Sequence, residues 1–213
     1  MNKNIIILGA GGHSKVILDL IEQNGWDFCG FIDKKSKGMP ELNENLVIGD
    51  DNDLSELFAK GIKYAALGIG HVGNFDTRNE VYHKLKAIGY ILPNLMHPNA
   101  VISKTVKMGE GNVFMAGSIV NAWASIGDIS IVNTHATIEH GVILEDNSHV
   151  APGAVILGDA HIERNAFIGA GSIIVQGITV GEECIIGAGS VIIKNAEKRT
   201  VMVGNPGRVI KRR

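Results

Sequence analysis

From Ala100 to Asn195 the chain repeats every six residues without an insertion. The third place of each six holds a large apolar residue: Ile102, Met108, Phe114, Val120, Ile126, Val132, Ile138, Leu144, Val150, Ile156, Ile162, Ile168, Ile174, Val180, Ile186 and Ile192. The first place is mostly Ala or Ser, and Gly, Asn and Asp supply the turns. A short fixed period is the mark of a solenoid. One bulky residue per six points inward, a small one fits beside it, and the turn residues tolerate the backbone of a corner. Three sixes close a triangular coil, and coils stack at the roughly 4.8 Å spacing of paired strands.

Before residue 92 the period is different. "NIIILGA" is a continuous apolar run ending in glycine, as a buried parallel strand reads. "HSKVILDLIEQNG" follows with Val16, Ile17, Leu20 and Ile21 at helical spacing and Gly25 at the stop. "FCGFID", "LVIGD" and "KYAALGIG" read as further strands, "DLSELFAKG" and "NEVYHKLKAIG" as helices, and "YILPNL" as extended. This alternation predicts a small parallel sheet covered by helices. The division falls within residues 92 to 100, giving domains 1–95 and 96–213.

Composition narrows the function. Charged residues make up 20% of the 213 and the net charge is −2, which offers no electrostatic ground for nucleic acid or an anionic membrane. Cys29 and Cys184 form no CxxC and are expected to be buried free thiols. The apolar run at the N-terminus is short for a signal peptide and no segment approaches the roughly 20 apolar residues of a spanning helix, so a soluble cytoplasmic protein is expected. "NTHATIEHG" sets His135 and His140 five apart. By themselves they are a metal pair, a base, or surface residues. The six-residue register separates them: His135 ends one six and His140 is the fifth residue of the next, at a turn.

The repeat resembles the left-handed β-helix of hexapeptide-repeat acyltransferases. "ILGAGGHSKVILDL", "GFID", "LGIG", "NTHATIEHG", "SHVAPGAVILGD" and "VGNPGRVIK", in that order, resemble bacterial nucleotide-aminosugar N-acetyltransferases and the related sialic-acid O-acetyltransferases. The resemblance spans almost the whole chain. It implies an α/β Rossmann-like N-terminal domain followed by an all-β left-handed parallel β-helix. It also implies acetyl-CoA as co-substrate without a metal, a nucleotide-linked (UDP) aminosugar as acceptor, and a homotrimer with active sites between subunits.

Acetyl transfer to an amine needs a base, donors for the oxyanion, and both substrates held in line. Histidine titrates near neutrality and suits the first task. His140 matches the family's catalytic base, and Asn133 a position near the sugar. Some relatives carry an acidic helper after the histidine; here that residue is Gly141. Asp159, eighteen residues on and therefore one coil above Gly141, is the expected substitute, with Glu139 as the other candidate. Gly158 stacks over His140 and, with His149, matches positions at acetyl-CoA. Ala170 and Ala188 lie one and two coils above residue 152, where small side chains let a pantetheine arm lie along the coils. Asn205, Pro206 and Arg208 of "GNPGR" would meet the phosphates of CoA.

"GAGGHS" follows a strand and opens a helix, but Ser14 stands where a dinucleotide fingerprint has its third glycine. The resemblance assigns Gly11, Gly12 and His13 to the nucleotide of the acceptor, Asp33 to uracil or ribose, Lys34 to the diphosphate, and Gly68 to close approach by the base. Three rivals remain. A β-helical carbonic anhydrase also uses two histidines five apart, but its third ligand must come from another coil, and neither His97 nor His149 is well placed for it. A hydroxyl acceptor in place of the amine, or a scaffold with a decayed site, completes the set.

Overall fold

The computed structural model describes residues 3–34 and 46–213. The chain forms two compact units, one of Met1–Gly70 with Asp76–Leu95, the other of His71–Phe75 with Met96–Arg213.

In the first unit four strands, β1 (Asn4–Leu8), β2 (Asp27–Ile32), β3 (Val47–Gly49) and β4 (Tyr64–Leu67), make a parallel sheet in the order β3-β2-β1-β4. The central strand is the continuous apolar run, and Ile5 to Leu8 are buried on both faces. Among the described residues there are three helices, α1 (Gly12–Gln23), α2 (Leu54–Ala59) and α3 (Asp76–Ile88); α1 and α3 pack on the sheet and α2 on α3. Helix α1 buries Ile17, Leu20 and Ile21 as its spacing predicts, but Val16 is 43% exposed. At 100° per residue Val16 lies at the edge of that stripe, whereas Ser14 lies within it and is buried. Ser14 fits because residue 68 is glycine: a Cβ there would stand 2.8 Å from Ser14 Cβ and 2.9 Å from the Gly9 carbonyl.

Helix α3 carries an unusual core residue. Arg78 is fully buried and donates to the carbonyls of Leu67 and Ile69, holding the helix over the end of β4. Burial pulls its guanidinium down to about 9.

The second unit is a parallel β-helix of two-residue strands in three sheets. Successive coils pair eighteen residues apart, as Ile119, Thr137, Val155, Ile173 and Val191 show along one sheet. The third-place residues from Phe114 to Ile192 are buried and form one core. Ile102 and Met108, in the first coil, are only partly buried. Serines in the first place bond the next corner's carbonyls, Ser130 to Glu145 at 3.0 Å and Ser148 to Glu163 at 3.2 Å, so small polar residues enter the core satisfied. From Gly111 to Gly189 every sixth residue has a positive φ, which explains why Gly and Asn recur there. After Asn195 the register shortens: Ile185 pairs with Val201, sixteen residues on. The strands Thr200–Val203 and Arg208–Arg212 then close the unit as an antiparallel hairpin.

Candidate active site

His140 lies at the corner following the strand Thr137–Ile138 and is exposed. Its ring leans toward the next coil: a Cβ on Gly158 would come within 2.6 Å of Cε1 and 2.7 Å of Nε2. Any side chain at 158 would displace the imidazole. Asp159 Nα donates to the His140 carbonyl at 3.0 Å, locking the two turns in stack. The Asp159 carboxylate lies against Gly141, with Oδ1 in the space that a Cβ on residue 141 would take. The acid from the coil above thus occupies the place of a side chain directly after the histidine. Among the described residues no side-chain hydrogen bond joins the His140 imidazole to Asp159 or to Glu139. Below His140 lies Ala122, and below Gly141 lies Trp123, one coil away in the same register.

His135 stands at a different corner, over Gly117, whose Cβ would come within 2.5 Å of its Nδ1. The two histidines of the motif do not converge. Among the described residues no three His, Cys, Asp or Glu side chains are grouped to hold a metal.

Asn133 and His149 form a second cluster. The Thr134 N–H donates to Asn133 Oδ1 at 2.8 Å, which turns the Asn133 amide nitrogen toward His149 Nε2, 3.1 Å away. On the other side of the ring, His149 Nδ1 lies 2.8 Å from the His71 carbonyl. A carbonyl only accepts, so Nδ1 carries the proton, Nε2 accepts from Asn133, and the ring is neutral. His149 is only 8% exposed, enclosed edge-on by Phe167 at 5.2 Å and by His71 at 5.5 Å. The segment His71–Phe75 causes this burial. It crosses the sheet face formed by Val113, Ile131, His149, Phe167 and Ile185. It is tied there by His71 Nε2–H to the Asn147 carbonyl at 2.9 Å, by Asn147 Nδ2 to the Phe75 carbonyl at 3.3 Å, and by Arg213 to the Gly73 carbonyl at 2.8 Å. The sequence reading missed this segment. The signal was an outward row of apolar residues on one face that needed a cover.

Ala170 and Ala188 are exposed and stack above Pro152, with Gly153, Gly171 and Gly189 beside them. A Cβ on any of these three glycines meets nothing, so this corner is an open track of small residues. Past its end, Asn205 and Pro206 form the hairpin turn through a cis peptide, and exposed Arg208 donates to the carbonyls of Pro206 and Gly207.

In the first unit a cavity of about 470 Å³ opens at the C-terminal ends of β1 and β2, lined by Leu8, Gly9, Ile32, Asp33 and Lys34. Asp51, Ile69, Thr77, Glu80, Val81 and Lys84 complete it; the sequence reading named none of these. Sheet order reverses beside β1, the place where ligands bind in such sheets. Asp33 Oδ2 accepts the Ala10 N–H at 2.8 Å and so shapes the glycine loop. Gly11 is the extended N-cap of α1 and Gly12 its first residue, both exposed. His13 packs on Gly70, and Gly68 is buried; neither lines the cavity. The space that glycine leaves at 68 is filled by Ile7 and Ser14.

Both thiols are pushed up by burial, Cys184 most plainly, since it is a fully buried first-place residue. Neither is a thiolate nucleophile at neutral pH.

Residues 4–85 match the family described as the PglD N-terminal domain, and residues 124–157 and 160–194 match the hexapeptide repeat of succinyl-transferase. Over 115 residues the chain is 34% identical to UDP-N-acetylbacillosamine N-acetyltransferase of Bacillus subtilis, covering 54% of this chain and 52% of that protein. The match therefore spans about half the length of that curated relative. Two solved structures align over nearly everything. A histidine-to-asparagine variant of perosamine N-acetyltransferase from Caulobacter crescentus, in complex with CoA and GDP-perosamine, is 30% identical with a TM-score of 0.89 over 98% of this chain and 97% of that one. The acetyltransferase domain of PglB from Neisseria gonorrhoeae, in complex with acetyl coenzyme A, is 32% identical with a TM-score of 0.90 over 99% and 100%.

Proposed function

The chain belongs to the nucleotide-aminosugar N-acetyltransferases that join a PglD-type N-terminal domain to a hexapeptide-repeat β-helix, and from this premise we propose that it acetylates the amino group of a nucleotide-linked sugar with His140 as general base. Acetyl-CoA is the co-substrate. The observation that carries the assignment is the His140 turn. An exposed imidazole without a hydrogen bond to the described residues leans into space kept free by Gly158, with a carboxylate on the adjoining turn.

His140 takes the proton from the sugar amine as its nitrogen attacks the acetyl carbonyl. The thiolate of CoA leaves and the amide forms. Asp159 takes the part of the acidic helper, stabilising the imidazolium from the coil above. Asn133 contacts the acceptor, and its amide is held in one orientation by Thr134 and His149. The open track at Ala170 and Ala188 carries the pantetheine arm, and Asn205, Pro206 and Arg208 meet the phosphates. In the first unit the nucleotide binds at the cavity lined by Asp33 and Lys34, and the exposed Gly11 and Gly12, outside that lining at the start of α1, offer their backbone to the phosphates. Direct transfer fits the state of the thiols, neither of which is set up to carry an acyl group. The supporting features for a homotrimer are the exposed apolar residues Val101 and Ile173 on one flat face of the β-helix.

The test is acetyl transfer from acetyl-CoA to a panel of UDP- and GDP-linked aminosugars, followed by release of free thiol. Turnover with an aminosugar and none with its hydroxyl counterpart is expected. Turnover only with hydroxyl acceptors overturns the amine assignment.

A further inference from the structure

We propose that Trp123 is the platform on which the ring of the acceptor sugar stacks, and that it sets which sugars the His140 turn accepts. The inference rests on the reading of His140 as the base. Trp123 is the sixth residue of its turn, one coil below Gly141, so its backbone stacks on the His140 turn at the spacing of paired strands. Its backbone is left-handed, with φ 65°, where a bulky side chain is strained. Its side chain is 74% exposed and makes no hydrogen bond among the described residues. Its backbone N–H donates to Thr105 Oγ1 at 3.0 Å.

Ile129 is the internal control. It occupies the equivalent sixth place of the next turn with φ 50°, equally unsuited to its side chain, but it is 1% exposed. Burial offsets the strain at Ile129; Trp123, exposed, gains no such burial from the described residues. Most other turns hold Gly or Asn in this place. A strained, exposed tryptophan next to a reactive histidine is a feature of recognition rather than of folding. The chemistry fits a pyranose, which presents one face of C–H groups and carries its polar groups at the edge. A rigid indole covers such a face with little loss of side-chain freedom. Ala122 and Gly158, directly below and above His140, leave the space between platform and base clear. Stacking on Trp123 would hold the ring so that its amine faces His140.

The test compares Trp123→Gly and Trp123→Phe with the wild type. The glycine variant suits the left-handed backbone, so its Tm should not fall. Its KM for the nucleotide-aminosugar should rise about tenfold with the KM for acetyl-CoA unchanged, and the phenylalanine variant should keep most of the acceptor affinity. An acceptor KM within twofold of wild type in Trp123→Gly overturns the proposal. So does a change in oligomer mass by light scattering, which would assign Trp123 to contact with a second copy. Trp26 is the only other tryptophan. In a Trp26→Phe background, emission should respond to the nucleotide sugar and not to UDP or GDP alone; an equal response to both refutes stacking. A wild type that acetylates no aminosugar overturns the proposed function instead, and the emission titration still reports whether a sugar ring sits on Trp123.

Discussion

The turns around residues 128, 146, 164 and 182 and the turns around 122, 140 and 158 share one backbone, with the sixth residue left-handed in both. At the first corner the side chains bind the neighbouring coil. Asp128 accepts from the Glu110 N–H at 2.8 Å, Asp146 from the Asp128 N–H at 2.7 Å, and Arg164 pairs with Glu182 at 2.6 Å. Arg164 holds the Glu182 carboxyl below its usual value. At the second corner the His140 imidazole makes no hydrogen bond among the described residues, Trp123 stands in solvent, and Ala122 and Gly158 flank the histidine. A β-helix separates coil geometry, set inside by the third-place residues, from corner chemistry, set outside. One corner holds coils together through its side chains and the other leaves its side chains facing solvent.

That contrast can be broken most strongly at His140. His140→Ala should lower kcat by about 10²- to 10⁴-fold while Tm and the KM for acetyl-CoA stay near wild type, because an exposed base supports no packing. Steady-state kinetics with thermal melts decide it, and near-normal turnover sinks the base. The covered face comes next. Asn147→Ala removes a buried amide that donates to the Phe75 carbonyl and to Asn165 Oδ1 at 2.9 Å, and should cost about 1–3 kcal/mol in denaturant unfolding. Asp159→Asn should have a smaller effect, a several-fold fall in kcat with the KM for acetyl-CoA unchanged, because the helper acts on the base and not on the cofactor. An unchanged kcat would return the helper role to Glu139 or to none. The smallest effect belongs to the structural corner. Arg164→Ala removes an exposed pair and should cost at most about 1 kcal/mol with no change in kcat. A large loss of activity there would erase the distinction between the corners.

Much of this arrangement was legible in the sequence, because the repeat makes stacking a matter of counting. Gly158 over His140 and Asp159 over Gly141 followed from an eighteen-residue coil, and the structure has both. Three things were not legible. Val16 kept helical spacing yet lies outside the buried stripe, since Ser14 fits beside Gly68. The α3 side of the cavity, with Thr77, Glu80 and Lys84, has no motif. His149 read as a contact of acetyl-CoA; its ring is instead enclosed and turned to the His71 carbonyl, because a segment more than seventy residues earlier crosses it.

The sequence by itself determined the coil: its period, its inward residues, and which turn lies above which. Each coil repeats the one before, so position depends only on residue number. Only the tertiary structure decided the state of His149 and, through it, the orientation of Asn133. Those depend on where the non-repeating segment His71–Phe75 crosses the face and offers a carbonyl to one ring nitrogen, and no period in the chain encodes that crossing.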